Sequence, residues 1–318
     1  MEAARCAASL LMVALATACG SSPEPDVRVE EFDLRTEIDI EAAVYAGPLY
    51  AVGSTSVIEE SGTSWDLGVP LHGIAYVDEA GFPAVLAVVG DGGYVALARY
   101  GYNSGGFQEF TQEPTNIEAD LLGVAGYFEM KDQLTLIVVG EDTLGVGQGI
   151  PEEGPLVWTA TQPPPGGWGH LRDIRLEDDD VCVLGDAGAL FCADVTTMIW
   201  GRVELDTDEN LTRFCGGLRW EAVGSNGTVV IRGLPAEDTS VWTTAQVGSV
   251  DLVACSSGFS AAPVVVGANR TIYEVVDPTH AQRLVTLDWQ PLTFDRETGF
   301  VMAGEGGHGG YLVEVKSY

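Results

Sequence analysis

Apolar and polar positions along the chain follow a repeat. A short apolar strand ends in glycine, a few polar or small residues follow, and a second apolar strand begins. The copies occupy residues 49–53, 86–90, 136–140, 181–185, 220–224, 264–267 and 300–304. Their final glycines, Gly53, Gly90, Gly140, Gly185, Gly224, Gly267 and Gly304, lie 37, 50, 45, 39, 43 and 37 residues apart, each interval long enough for four short strands. A glycine at that place predicts a hairpin turn needing positive φ, which a side chain resists. Asp91-Gly92, Asn226-Gly227 and Glu305-Gly306 follow their glycines as such turns should. Further apolar stretches at 71–77, 121–125 and 171–174 precede the glycines by about twenty residues and are expected to form the innermost strand of each unit. Trp65, Trp158, Trp200, Trp242 and Trp289 are expected to mark the outermost one.

Two sandwiches or a solenoid would also be hairpin-rich. Units of this length can instead close into a ring with no free sheet edge. The pattern therefore predicts an all-β fold, a seven-bladed β-propeller over residues 27–318. Forty glycines and only five methionines suit strands and tight turns better than helices. The last unit ends near residue 315, too early for an outer strand, so the segment 27–34 is expected to supply it and clasp the ring.

The N-terminus has a different character. An apolar run from Cys6 to Ala18 has the length of a signal-peptide core and is too short to span a bilayer. Residues 1–18 are accordingly expected to be a signal peptide. Ala16-Thr17-Ala18-Cys19 resembles a bacterial lipobox, which implies diacylation of Cys19, a lipid-anchored linker over 19–26, and a place on the outer membrane or cell surface. Membrane contact is expected through that lipid only. Plain cleavage near Ala18 would give a secreted protein instead. Export implies an oxidising compartment. Cys182, Cys192, Cys215 and Cys255 remain after processing and allow three pairings. Cys182 with Cys192 would join two strands of one hairpin; Cys215 with Cys255 would join equivalent places in neighbouring units. The first pair demands an odd loop, because a two-residue turn at Asp186-Ala187 would set Cys182 opposite Phe191. A metal site is the rival use of these cysteines, but no CxxC or histidine spacing supports it.

Charge narrows the partners. The formal charge is −32, from 47 acidic and 15 basic residues with no basic cluster, so nucleic acid is not an expected partner. Residues 206–212 have alternating oxygens like a calcium loop but lack its sixth-position glycine and twelfth-position acid. No metal, cofactor or catalytic set is expected, and the chain is expected to be a monomer.

Ile58-Glu-Glu-Ser-Gly-Thr-Ser-Trp65 resembles the Asp-box turn of sialidase-like and related propellers, with Glu60 for Asp and Ser64 for Thr. Together with 51–53 before it and 71–75 after it, the order is similar to the photosystem II assembly factor family of propellers. The resemblance implies a propeller; its Asp-box motif is structural and carries no function over. The sialidase branch would imply an exported carbohydrate-active enzyme, which needs an arginine cluster, a Tyr-Glu pair and an acidic proton donor. The arginines here are scattered along the sequence, so the expectation is a non-enzymatic scaffold for a protein or carbohydrate ligand.

In a propeller the turn after each second strand and the loop entering each innermost strand share one face. That face is expected to carry Asp91, Asp142, Asp186 and Glu305, and the long loop with Trp168 and His170. Trp168 is expected to be exposed there, as a recognition residue on a rigid scaffold.

Overall fold

The computed structural model describes residues 26–34, 36, 38–79, 83–101, 105–129, 132–177, 179–215, 220–232, 241–257, 263–277, 280–295 and 301–315. The expected signal peptide, Cys19 and most of the linker lie outside them. The strands of the described residues form seven antiparallel sheets. Blade three is representative: Leu121–Phe128, Leu134–Gly140, Thr143–Gly149 and Val157–Ala160, in that order outwards from the axis. The first strand of each sheet lies beside that of the next, and Pro291–Asp295 of blade seven returns to Ala42–Tyr45 of blade one, closing a ring.

Second strands such as Val85–Gly90 and Leu134–Gly140 are buried at every position. A neighbouring blade covers each face, so the sequence there is a continuous apolar run rather than an alternation. The core is correspondingly a set of seams between blades. In one of them, Ile137 and Val139 of blade three meet Leu171 and Val183 of blade four.

The ring closes as expected. Asp26–Asp33 pairs with His308–Val315, placing Asp26 opposite Val315 and Asp33 opposite His308. Beyond it, the Leu34 N–H donates to Gly307 O at 3.1 Å, and Leu34 and Ile40 are buried against Ala303 and Leu49.

Two expectations need correction. The repeated glycines do not occupy the positive-φ position: Gly90, Gly224 and Gly304 have φ of −166°, −157° and −173°. Positive φ falls two residues later, at Gly92 (62°), Asn226 (52°) and Gly306 (64°). Glycine is required at position 90 by close approach, because a Cβ there would lie 1.9 Å from Pro70 O, just before the innermost strand. That carbonyl accepts the Asp91 N–H at 3.0 Å. The second correction concerns Trp289. Trp65, Trp158 and Trp242 lie on outermost strands, but Trp289 follows the outermost strand His280–Thr286. It is buried in the closing seam, where its indole N–H donates to Glu31 Oε1 at 3.1 Å.

The cysteines pair as Cys182–Cys192 and Cys215–Cys255. Cys182 stands directly opposite Cys192, and the loop between their strands is the odd one required, Asp186-Ala187-Gly188, closed by Gly185 N–H to Ala189 O at 2.9 Å. The second bridge ties the innermost strands of blades five and six. Its loop spans 40 residues against 10 for the first. Loop-closure entropy then predicts that Cys215→Ser costs about 4 kcal/mol and Cys182→Ser about 3. Urea melts of the two variants should show that order, and equal losses would contradict the entropic account.

Candidate binding face at the channel mouth

The first residues of the innermost strands build the site. In six blades the register slips one residue after the strand begins, between Leu71 and Gly73, Leu121 and Gly123, Leu171 and Asp173, Leu211 and Arg213, Leu252 and Ala254, and Pro291 and Thr293. The skipped residue has no ladder partner, and a bulge re-aims its side chain. These residues are His72, Leu122, Arg172, Thr212, Val253 and Leu292. All six, with Glu41 at the same place in blade one, line a cavity of about 490 Å³ at the mouth of the central channel.

Polar contacts organise the mouth. His72 Nδ1 lies 2.6 Å from Glu41 Oε2 and Nε2 lies 2.7 Å from Asp91 Oδ1. The hydrogen bond to Glu41 acts most strongly, and with Asp91 it outweighs burial and raises the His72 pKa to about 9. Arg172 donates from Nε to Asp186 Oδ1. Arg213, on blade five, reaches across the channel and donates from Nη2 to the Glu41 carbonyl at 3.0 Å. Beside it, desolvation raises the pKa of Asp173, opposed by Arg213 and by the N–H groups of Phe214 and Ile174, at 2.8 and 2.9 Å.

The His72 ion pairs make stability depend on pH. The folded pKa lies above the ordinary 6.5, so this stabilisation is complete below about pH 6.5 and is lost as pH rises through about 9. Glu41 and Asp91 are 44% and 43% exposed, so solvent screening reduces the effect to about 1–2 kcal/mol. Denaturant melts across that window should show the loss, and His72→Gln should flatten it.

The expected rim residues all sit at this end of the ring, but in different employment. Asp91 and Asp186 hold His72 and Arg172. Glu305 pairs with Arg270 at 3.2 Å. Asp142 accepts the Trp168 N–H at 3.0 Å, and the expectation of an exposed Trp168 is overturned: it is only 2% exposed. Its ring packs edge-on against Phe191 and Trp200, because a seam between blades removes more apolar surface from water than a loop tip can. His170 is half-buried, and its carbonyl accepts the Asp186 N–H.

Sequence reasoning missed two sets of residues. Asp120 Oδ1 accepts the Gly92 N–H, Asn210 Oδ1 that of Ala187, Asp251 Oδ1 that of Asn226 and Asp39 Oδ1 that of Gly306, at 2.8–2.9 Å. Each residue enters one blade and caps the hairpin turn of the blade before it, so these four side chains are structural. The other set is the channel residues themselves. A signal existed for both: Asp or Asn directly before the first apolar residue of an innermost strand, and the channel residue directly after it.

The Glu60 substitution in the Asp-box-like turn has a visible role. Its carboxylate accepts the Leu49 N–H at 3.2 Å, while Ser61 Oγ donates to Glu59 at 2.7 Å, across the turn between the third and fourth strands of blade one.

Comparison with solved structures agrees with this architecture. The chain is similar to the structure of U3-55K (TM-score 0.63, 11% identity, 91% of this chain and 98% of that one). It is similar also to the WD40 repeats of RRP9 (0.63, 11%, 91% and 99%) and to YCF48 from Cyanidioschyzon merolae (0.64, 10%, 89% and 98%). The fold is a β-propeller. No family model matches the sequence, and no curated protein matches it. At these identities the likeness is one of fold alone.

Proposed function

We propose that this propeller is a non-catalytic scaffold of the bacterial envelope, lipidated at Cys19, which holds a basic protein partner against the rim around its channel mouth. The observation that carries the reading is a division among the rim carboxylates. Asp39, Asp120 and Asp251 are consumed in capping hairpin turns and Asp142 in accepting the Trp168 N–H, whereas Glu118, Glu141, Asp206 and Asp208 are exposed on loops of the same rim. Unlike the capping acids, these four carboxylates accept no hydrogen bond and form no ion pair among the described residues. Such carboxylates add nothing to the fold and present negative charge outwards, where it steers and selects a cationic surface.

Export and orientation support the same reading. Two disulfides suit an oxidising, extracytoplasmic compartment. No helix among the described residues is long and apolar enough to cross a membrane; in this reading the lipid at Cys19 attaches the chain. Asp26 pairs with Val315, at the end of the ring opposite the turns that follow the second strands. The seven residues 19–25 extend at most about 25 Å, so a tether there would present the acidic rim away from the bilayer.

The test is capture from envelope extract by the intact chain and by a variant carrying Glu118→Lys, Glu141→Lys, Asp206→Lys and Asp208→Lys. Loss of the captured partner, with an unchanged melting temperature, is expected. Equal capture by both would remove the rim from consideration.

A further inference from the structure

Resting on the reading that this rim is the functional face, we propose that the cup at the channel mouth binds a small organic monocarboxylate, its carboxylate on Arg172 and its apolar body on Leu122, Val253 and Leu292. The charged groups in the cup differ in how much bonding capacity they have left. His72 has both ring nitrogens engaged by carboxylates, and Arg213 is held by the Glu41 carbonyl with Asp173 beside it. Arg172 is different. Asp186 engages only its Nε, so the edge formed by Nη1 and Nη2 has no hydrogen-bond partner among the described residues while the side chain lines the cavity. That edge is a planar pair of parallel donors and matches the two oxygens of a carboxylate.

Asp186 fixes the plane of the guanidinium and so holds this edge in place before a ligand arrives. The remaining wall is aliphatic at three of the seven positions, in blades three, six and seven. One open fork among aliphatic side chains calls for one carboxylate on an apolar body. The cavity, about 490 Å³, lies in the size range of small-molecule sites. The long-range field of this acidic chain opposes anions, but ions screen it beyond about 8 Å at physiological ionic strength, which leaves the local donors to decide.

The experiment uses hexanoate and 4-phenylbutyrate, with their neutral amides as controls, titrated calorimetrically into the mature chain. Both acids should saturate the site, and the amides should bind at least about tenfold more weakly. Arg172→Gln should reduce the acids to the level of the amides, and Arg172→Lys should recover part of the difference, with melting temperatures reported for each variant. Equal binding of acids and amides, acids that bind no tighter than about 1 mM, or an Arg172→Gln variant that binds them as wild type does would each overturn the proposal. The rim-lysine variant separates the two readings. If it loses partner capture and the acids fail to bind, the ligand class falls while the scaffold stands. If it keeps capture and the acids bind, the scaffold reading falls and the cup remains a carboxylate site.

Discussion

A chain beginning at Glu37 is expected to melt roughly 10 °C or more below one beginning at Cys19. Removing Asp26–Asp33 strips the outer ladder from His308–Val315, takes away the buried Leu34, and leaves the Trp289 indole without Glu31. Each lost backbone hydrogen bond is worth about 1 kcal/mol net, and a domain of this size loses a few degrees per kcal/mol. The larger consequence is topological. The N-terminal strand is the covalent extension of blade one that pairs into the sheet of blade seven, so without it the two blades would meet through side-chain packing, the Ile40 N–H bond to Gly304 O at 3.2 Å and the Asp39 cap. Differential scanning calorimetry of the two chains decides the matter. Coincident transitions would show that the strand does not clasp the ring.

The second large effect is at a glycine. Gly90→Ala is expected to cost about 3–5 kcal/mol although its φ of −166° suits any residue, because the new Cβ would stand 1.9 Å from Pro70 O. Moving that carbonyl away would also break its bond from the Asp91 N–H, and with it the placement of His72. Gly92→Ala is the informative contrast. Its φ is +62° but nothing lies within 4 Å of the added carbon, so about 1 kcal/mol is expected. Urea denaturation of the pair separates close approach from backbone strain, and a larger loss at Gly92 would reverse the explanation given for the repeat.

Much of the architecture was legible in the chain, and the reason is its repetition. Seven copies of one apolar run ending in glycine report the same packing problem solved seven times, and residues 27–34 were recognisable as the missing strand because the final unit runs out of chain. The odd loop at Asp186-Ala187-Gly188 followed from the spacing of Cys182 and Cys192, since side-chain alternation in a strand admits only one parity. The anchor glycines were placed correctly and explained wrongly. For six of the seven their environment is a backbone carbonyl 14–20 residues earlier in sequence, which no local pattern displays.

The candidate site divides in the same way. That acidic turns gather on one rim follows from strand order and could be read from sequence. Which of those acids are spare could not, because Asp120 or Asp251 becomes structural only when the turn of the preceding blade comes within 2.8 Å. Trp168 shows the same limit: a tryptophan in a Pro-Gly-rich loop reads as exposed, and only the seam between blades three and four decides that it is core. By itself the sequence determined strand identity, strand order and cysteine register, which depend on local periodicity and on the parity of a hairpin. Tertiary structure alone decided that His72, Arg172 and Arg213, up to 141 residues apart, share one channel mouth, because ring closure brings the starts of the innermost strands to a common axis.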